Sequence, residues 1–85
     1  MNIIEASDKV LQEQTCVLIR PKKSAEQGQV DCNDYQGKKK GWTILDTTTA
    51  NMVKQVYNAL SEKNQKKVVT MNPVQTISIF WSLVN

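Results

Sequence analysis

Thr15-Cys16-Val17-Leu18-Ile19-Arg20, stopped by Pro21, is the stretch on which the fold turns. Its residues are mostly β-branched or apolar and suit a pleated, packed surface, and Pro21 cannot donate to a hydrogen-bonded ladder. The run lacks the alternation of a strand with one wet face. It predicts a strand covered on both sides, by helices on one of them, with Cys16 buried inside it.

Upstream, Ile3, Ile4, Ala6, Val10 and Leu11 recur at helical spacing while Glu5, Asp8, Lys9, Gln12 and Glu13 take the other face. This predicts a helix over 2–14, broken at Gln14-Thr15. Downstream, Gln29-Val30-Asp31-Cys32 is a weak strand, and Trp42-Thr43-Ile44-Leu45, between Gly41 and Asp46, a stronger one. Strands 15–20 and 42–45 are expected to pair antiparallel. A plain loop of about 20 residues is uncommon in a compact domain, so part of the segment between them is expected to form an irregular hairpin.

Beyond Asp46 the pattern turns helical. Asp46 or one of Thr47-Thr48-Thr49 can cap a helix whose apolar stripe is Val53, Val56, Tyr57 and Leu60. Ser61 or Asn64 can start a short second helix that buries Val68, Val69 and Met71. Asn72-Pro73 marks a third, with Asn as cap and Pro in the first turn. This last helix, Val74 to Val84, has no charged residue and is apolar over most of its circumference. It is expected to be the central core element; the alternative is that part of it faces another subunit. The fold class is therefore α+β: an N-terminal helix, a two- or three-stranded antiparallel sheet, and three C-terminal helices packed on it. The expected core is Ile4, Val10, Leu11, Val17, Ile19, Ile44, Val53, Val56, Tyr57, Leu60, Val68, Ile77, Phe80, Trp81 and Val84.

The 85 residues make one domain, 1–85, with 40% apolar and 22% charged residues. That balance suits a small globule and excludes a two-domain enzyme and a disulfide-dense scaffold. No apolar run is long enough to span a membrane. Met1-Asn2-Ile3-Ile4-Glu5 lacks the basic-then-apolar pattern of a secretory signal, so the expected location is cytoplasmic.

There is no His, which removes the commonest general base and metal ligand. Cys16 and Cys32 have no neighbouring Cys or His with which to hold a metal, and read as reduced thiols. Gly37-Lys38-Lys39-Lys40-Gly41 lacks the spacing and the following helix of a phosphate loop. The carboxylates are scattered and read as solvated surface charges. The expectation is a non-catalytic protein without cofactor or metal.

The net charge of +3 belongs to one segment. Arg20, Lys22, Lys23, Lys38, Lys39 and Lys40 face only Glu26, Asp31 and Asp34 within residues 20–42, and the rest of the chain is neutral. All three Gly lie there too, so 21–41 reads as a basic loop or hairpin on a neutral body. With Trp42, these six cations form the candidate macromolecule-binding set. The partner is expected to be a protein; nucleic acid gripped by the same lysines beside Tyr35 and Trp42 is the alternative. A helix-turn-helix over 64–70 and 74–84 is rejected, because its reading helix would carry Ile77, Ile79, Phe80 and Trp81 and no charge. A scaffold role, with homo-oligomers built through the last helix, is a third class.

Asp46-Thr47-Thr48-Thr49-Ala50, Val56-Tyr57-Asn58-Ala59-Leu60-Ser61-Glu62, Asn64-Gln65-Lys66-Lys67 and Trp81-Ser82-Leu83-Val84 resemble the helical tails of small uncharacterised proteins of phages and prophages. The resemblance covers 46–84 and carries over no functional residue. It implies an accessory protein that acts by binding a host or phage macromolecule, in some such proteins as an inhibitor.

Overall fold

A computed structural model describes residues 1–23 and 27–84. The described residues form α1 (Ile3–Glu13), β1 (Val17–Pro21), β2 (Val30–Asp34), β3 (Thr43–Leu45), α2 (Thr47–Ala59), α3 (Glu62–Val68) and α4 (Pro73–Val84). The α+β reading holds, with three strands rather than two. Both neighbours of β1 are antiparallel to it, in the order β2-β1-β3.

The helix ends follow from local chemistry. Asn2 and Glu5 close a reciprocal capping box on α1, each side chain accepting from the other's backbone N–H at 2.9 Å. Gln14 ends α1 in the left-handed region at φ 56. The Asp46 carboxylate accepts from the Thr49 N–H at 2.7 Å, the Ser61 hydroxyl from Asn64 at 3.3 Å, and the Asn72 amide oxygen from Val74 at 3.0 Å and Gln75 at 3.3 Å. These satisfy amides that each first turn leaves without helical partners.

β1 is buried on both faces, as its unbroken apolar run predicts: Val17, Leu18 and Ile19 are all buried. Val17 and Ile19 look toward the helices. Leu18 and Arg20 take the opposite, outer face with their register partners Asn33, Ile44 and Asp31. Cys16 departs from expectation. It lies half-buried just before the strand, because the paired register begins at Val17.

Pro21 sits inside β1, opposite Val30. The Val30 amide donates outward to the Met1 carbonyl at 2.8 Å, while Lys22 donates to Gln29 at 2.9 Å. The β1–β2 bonds thus fall on even residues of β1, and the missing Pro21 N–H would point away from β2. β3 does not reach that far, so the proline breaks no ladder bond. Met1 and Asn2 cover the free edge of β2: Asn2 bridges Gln29, and the terminal ammonium donates to the Gln29 side chain at 2.6 Å.

On the inner face α1 packs on α2 and β2, and α4 packs on α2 and β1. The core holds Ile4, Val10, Val17, Ile19, Val53, Val68, Ile77 and Phe80 from the expected set. It also holds Ile3, Ala6, Val30, Leu45, Ala50 and Met52, which lie outside the expected core set. Leu11, Val56, Tyr57, Leu60 and Trp81 are half-buried against it, and Ile44 is half-buried on the outer face.

The last helix is the main correction. Val84, expected in the core, is 48% exposed, and Leu83 is 63% exposed. α4 packs on α2 and β1 with Pro73, Thr76, Ile77 and Phe80 buried, while Val74, Ile79, Leu83 and Val84 on its other side stay exposed. The core is centred instead on β1 and the α1–α2 pair.

Candidate binding face

The sheet order forces an unusual path on the chain. β2 ends level with Val17, and β3 starts level with Ile19 on the other side of β1. Residues 35–42 must therefore run back along β1 and cross it. They do so on the outer face, as a strap. Leu18 is only 3% exposed although no helix among the described residues packs there, and it lines one cavity of about 580 Å³ with Asn33, Gln36, Gly37, Lys38 and Lys39. Asp34 adds to the rim, yet its register partner Val17 places its side chain on the inner side.

Trp42 anchors the far end of the strap. The Arg20 guanidinium stands 4.5 Å from its ring centroid and the Lys39 ammonium 5.5 Å. Arg20 is itself held by Asp31, its cross-strand partner, through an Nε–Oδ2 contact of 3.2 Å. The Trp42 N–H donates to the Lys39 carbonyl at 3.1 Å, turning the strap toward β3. Each cation over the ring contributes about 0.5–1 kcal/mol at an exposed site, and an ion pair this open about 0–1 kcal/mol. The strap is therefore held down, but not strongly.

Two glycines bracket its three lysines. Gly37 has φ +97 and Gly41 φ +84, a region that side-chain-bearing residues avoid, and a Cβ at either would meet open space. The backbone there demands glycine; packing does not.

The sequence-predicted cations are only partly brought together. Arg20, Lys39 and Trp42 form one stack, and Lys38 and Lys39 line one cavity. Lys40 is exposed in the same turn. Lys22 opens instead on a second cavity of about 520 Å³, beside Gln29, Met71 and Pro73 at the α3–α4 connection. Lys23 is exposed, and residues 24–26, with Glu26, lie outside the described residues. The basic segment forms part of a hairpin, as expected, and β2 divides its lysines between a β1–β2 connection and the strap. Sequence reasoning missed Asp31 as the partner of Arg20, and Leu18, Asn33 and Gln36 as cavity lining. The Arg20–Asp31 pair could have been found by writing the hairpin in register, which puts opposite charges face to face.

The residues lining the strap cavity are Asn33, Gln36, Lys38 and Lys39 above Leu18, with Asp34 at the rim. They offer hydrogen-bond donors and positive charge to a ligand. Across the sheet, burial pushes the Cys32 thiol above its ordinary value, partly offset by the Lys9 ammonium, with Asp34 and Glu13 adding to the rise. Both thiols are free. Among the described residues no three His, Cys, Asp or Glu side chains gather as a metal-binding group, and no helix is long and apolar enough to cross a membrane. The chain matches no family model, no curated protein and no solved structure.

Proposed function

We propose that this chain is a non-catalytic accessory protein, of phage or mobile-element type, that works by docking the strap face onto another protein. The observation that carries this reading is the strap itself: consecutive exposed Lys38, Lys39 and Lys40, the first two lining a cavity on a sheet face that no helix among the described residues covers. The helical pattern of 46–84 supports the accessory-protein class. Nucleic acid is the second reading, favoured by exposed Tyr35 in the same segment as Lys38–Lys40. It is opposed by the stack on Trp42, whose ring already carries cations.

The test compares the wild-type chain with a Lys38/Lys39/Lys40→Glu triple variant of unchanged thermal midpoint, each immobilised and exposed to extract of the natural host. The expected outcome is capture of a defined partner by the wild type, strongly reduced in the variant and weakened by salt. Equal capture by both proteins would overturn the reading. Loss of capture after nuclease treatment would move it to nucleic acid.

A further inference from the structure

The strap cavity has a chemistry of its own, and we infer that it receives the carboxylate side chain of an extended, acidic segment of the partner polypeptide. This rests on the reading that the strap face is the docking face.

Complementarity of charge is the first argument. Lys38, Lys39 and Lys40 are consecutive, and the whole net charge of the chain lies in the segment around them. The second is the lining of the cavity beneath. Asn33, Gln36, Lys38 and Lys39 line it with Leu18, a set that can offer amide and ammonium donors over an apolar floor, while Asp34 at the rim shares the inner side of the sheet with its register partner Val17. A glutamate suits this order: its methylenes lie on the leucine and its carboxylate meets the donors.

The third argument separates a carboxylate-bearing chain from a phosphate-bearing one. The only arginine, Arg20, pairs through its Nε with Asp31 at 3.2 Å, stands over the Trp42 ring and does not line the cavity, so the cavity itself offers no guanidinium fork to a phosphate. Trp42 carries Arg20 over its ring and does not line the cavity either, so a base entering the cavity finds no stacking platform there. What remains available is a set of ammonium point charges with adaptable amides, which accept carboxylates of varied geometry. Lys39 can join them at small cost, because its hold on Trp42 is the longer of the two, at 5.5 Å. The glycines at 37 and 41 place a pivot on either side of the lysines. Binding therefore moves Lys39 off the ring and changes the Trp42 emission.

The experiment titrates the full chain with acetylated, amidated hexaglutamate and, separately, with a thymidine oligonucleotide of matched charge, at low and physiological salt. Tryptophan emission and the side-chain amide NMR signals of Asn33 and Gln36 are read together. Hexaglutamate is expected to shift both amide signals and to bind about tenfold more weakly at physiological salt. Lys39→Gln is expected to lower its affinity severalfold while Lys39→Arg retains it, with unchanged far-UV circular dichroism in both. Tighter binding of the oligonucleotide, or hexaglutamate binding that leaves Asn33 and Gln36 unmoved, overturns the inference. Should hexaglutamate fail while the Lys38/Lys39/Lys40→Glu variant still loses its captured partner, only the ligand class is wrong. If that variant loses nothing, the docking face itself is wrong.

Discussion

Gly28→Ala tests the tertiary arrangement most directly. Gly28 has φ +85, and a Cβ placed on it would lie 1.9 Å from the Val69 carbonyl oxygen and 2.8 Å from the Thr70 Cα. Both are backbone atoms of the α3–α4 connection, so no side chain can swing aside. The left-handed conformation alone costs an L-residue about 1–2 kcal/mol. Pushing the connection back to van der Waals distance adds about 1–3 kcal/mol, the usual cost of overpacking. The sum, about 2–5 kcal/mol, compares with a total stability of about 4–13 kcal/mol for a domain of this size. Gly37→Ala and Gly41→Ala are matched controls, since both have positive φ but open space around the added methyl. They should lose the conformational share alone. In urea unfolding followed by circular dichroism, with a slope near 1 kcal/mol/M, Gly28→Ala should lower the midpoint by about 1–3 M more than either control. Equal midpoints for the three variants would show that the 27–29 turn does not abut the α3–α4 connection, and the packing described here would fall.

Phe80→Ala should cost about 3–5 kcal/mol, because the ring is 3% exposed; Leu83→Ala on the open side of α4 should stay within about 0.5 kcal/mol in the same unfolding assay. Asp46→Ala removes the acceptor of the Thr49 amide and should cost about 1 kcal/mol, with Asp46→Asn recovering most of it in thermal melts. The Cys32 thiol is held above its ordinary value in the folded chain, so the unfolded state sheds its proton first as pH rises. Stability should therefore be at its full value below the ordinary thiol range and fall as pH climbs through and beyond it. Cys32→Ser should flatten that fall in urea titrations above neutral pH. A fall unaltered by the substitution would refute the assignment.

Much of the local architecture was legible in the chain. The both-faces-buried strand announced itself at Val17-Leu18-Ile19, where three apolar residues in a row leave no wet face. Asn72-Pro73 announced the last helix through a side chain that caps and a ring that needs no donor. Val84 and Cys16 were misjudged for one reason. Their apolar character was visible, but whether anything packs there depends on where the chain runs next. The binding face was half legible. Lysine density located the strap, whereas the partner of Arg20 and the lining of the cavity depend on strand register.

The amino-acid sequence by itself determined the element types, their caps and the place of the charge. These are set by residues within a few positions of one another, through side-chain spacing and short-range hydrogen bonds. Only the tertiary structure decided that 35–42 crosses β1, that Arg20 meets both Asp31 and Trp42, that Gly28 must be bare against Val69, and that one side of α4 stays open. Each pairs groups far apart in the chain. Strand order brings them together, and strand order is settled by the joint burial of the whole core.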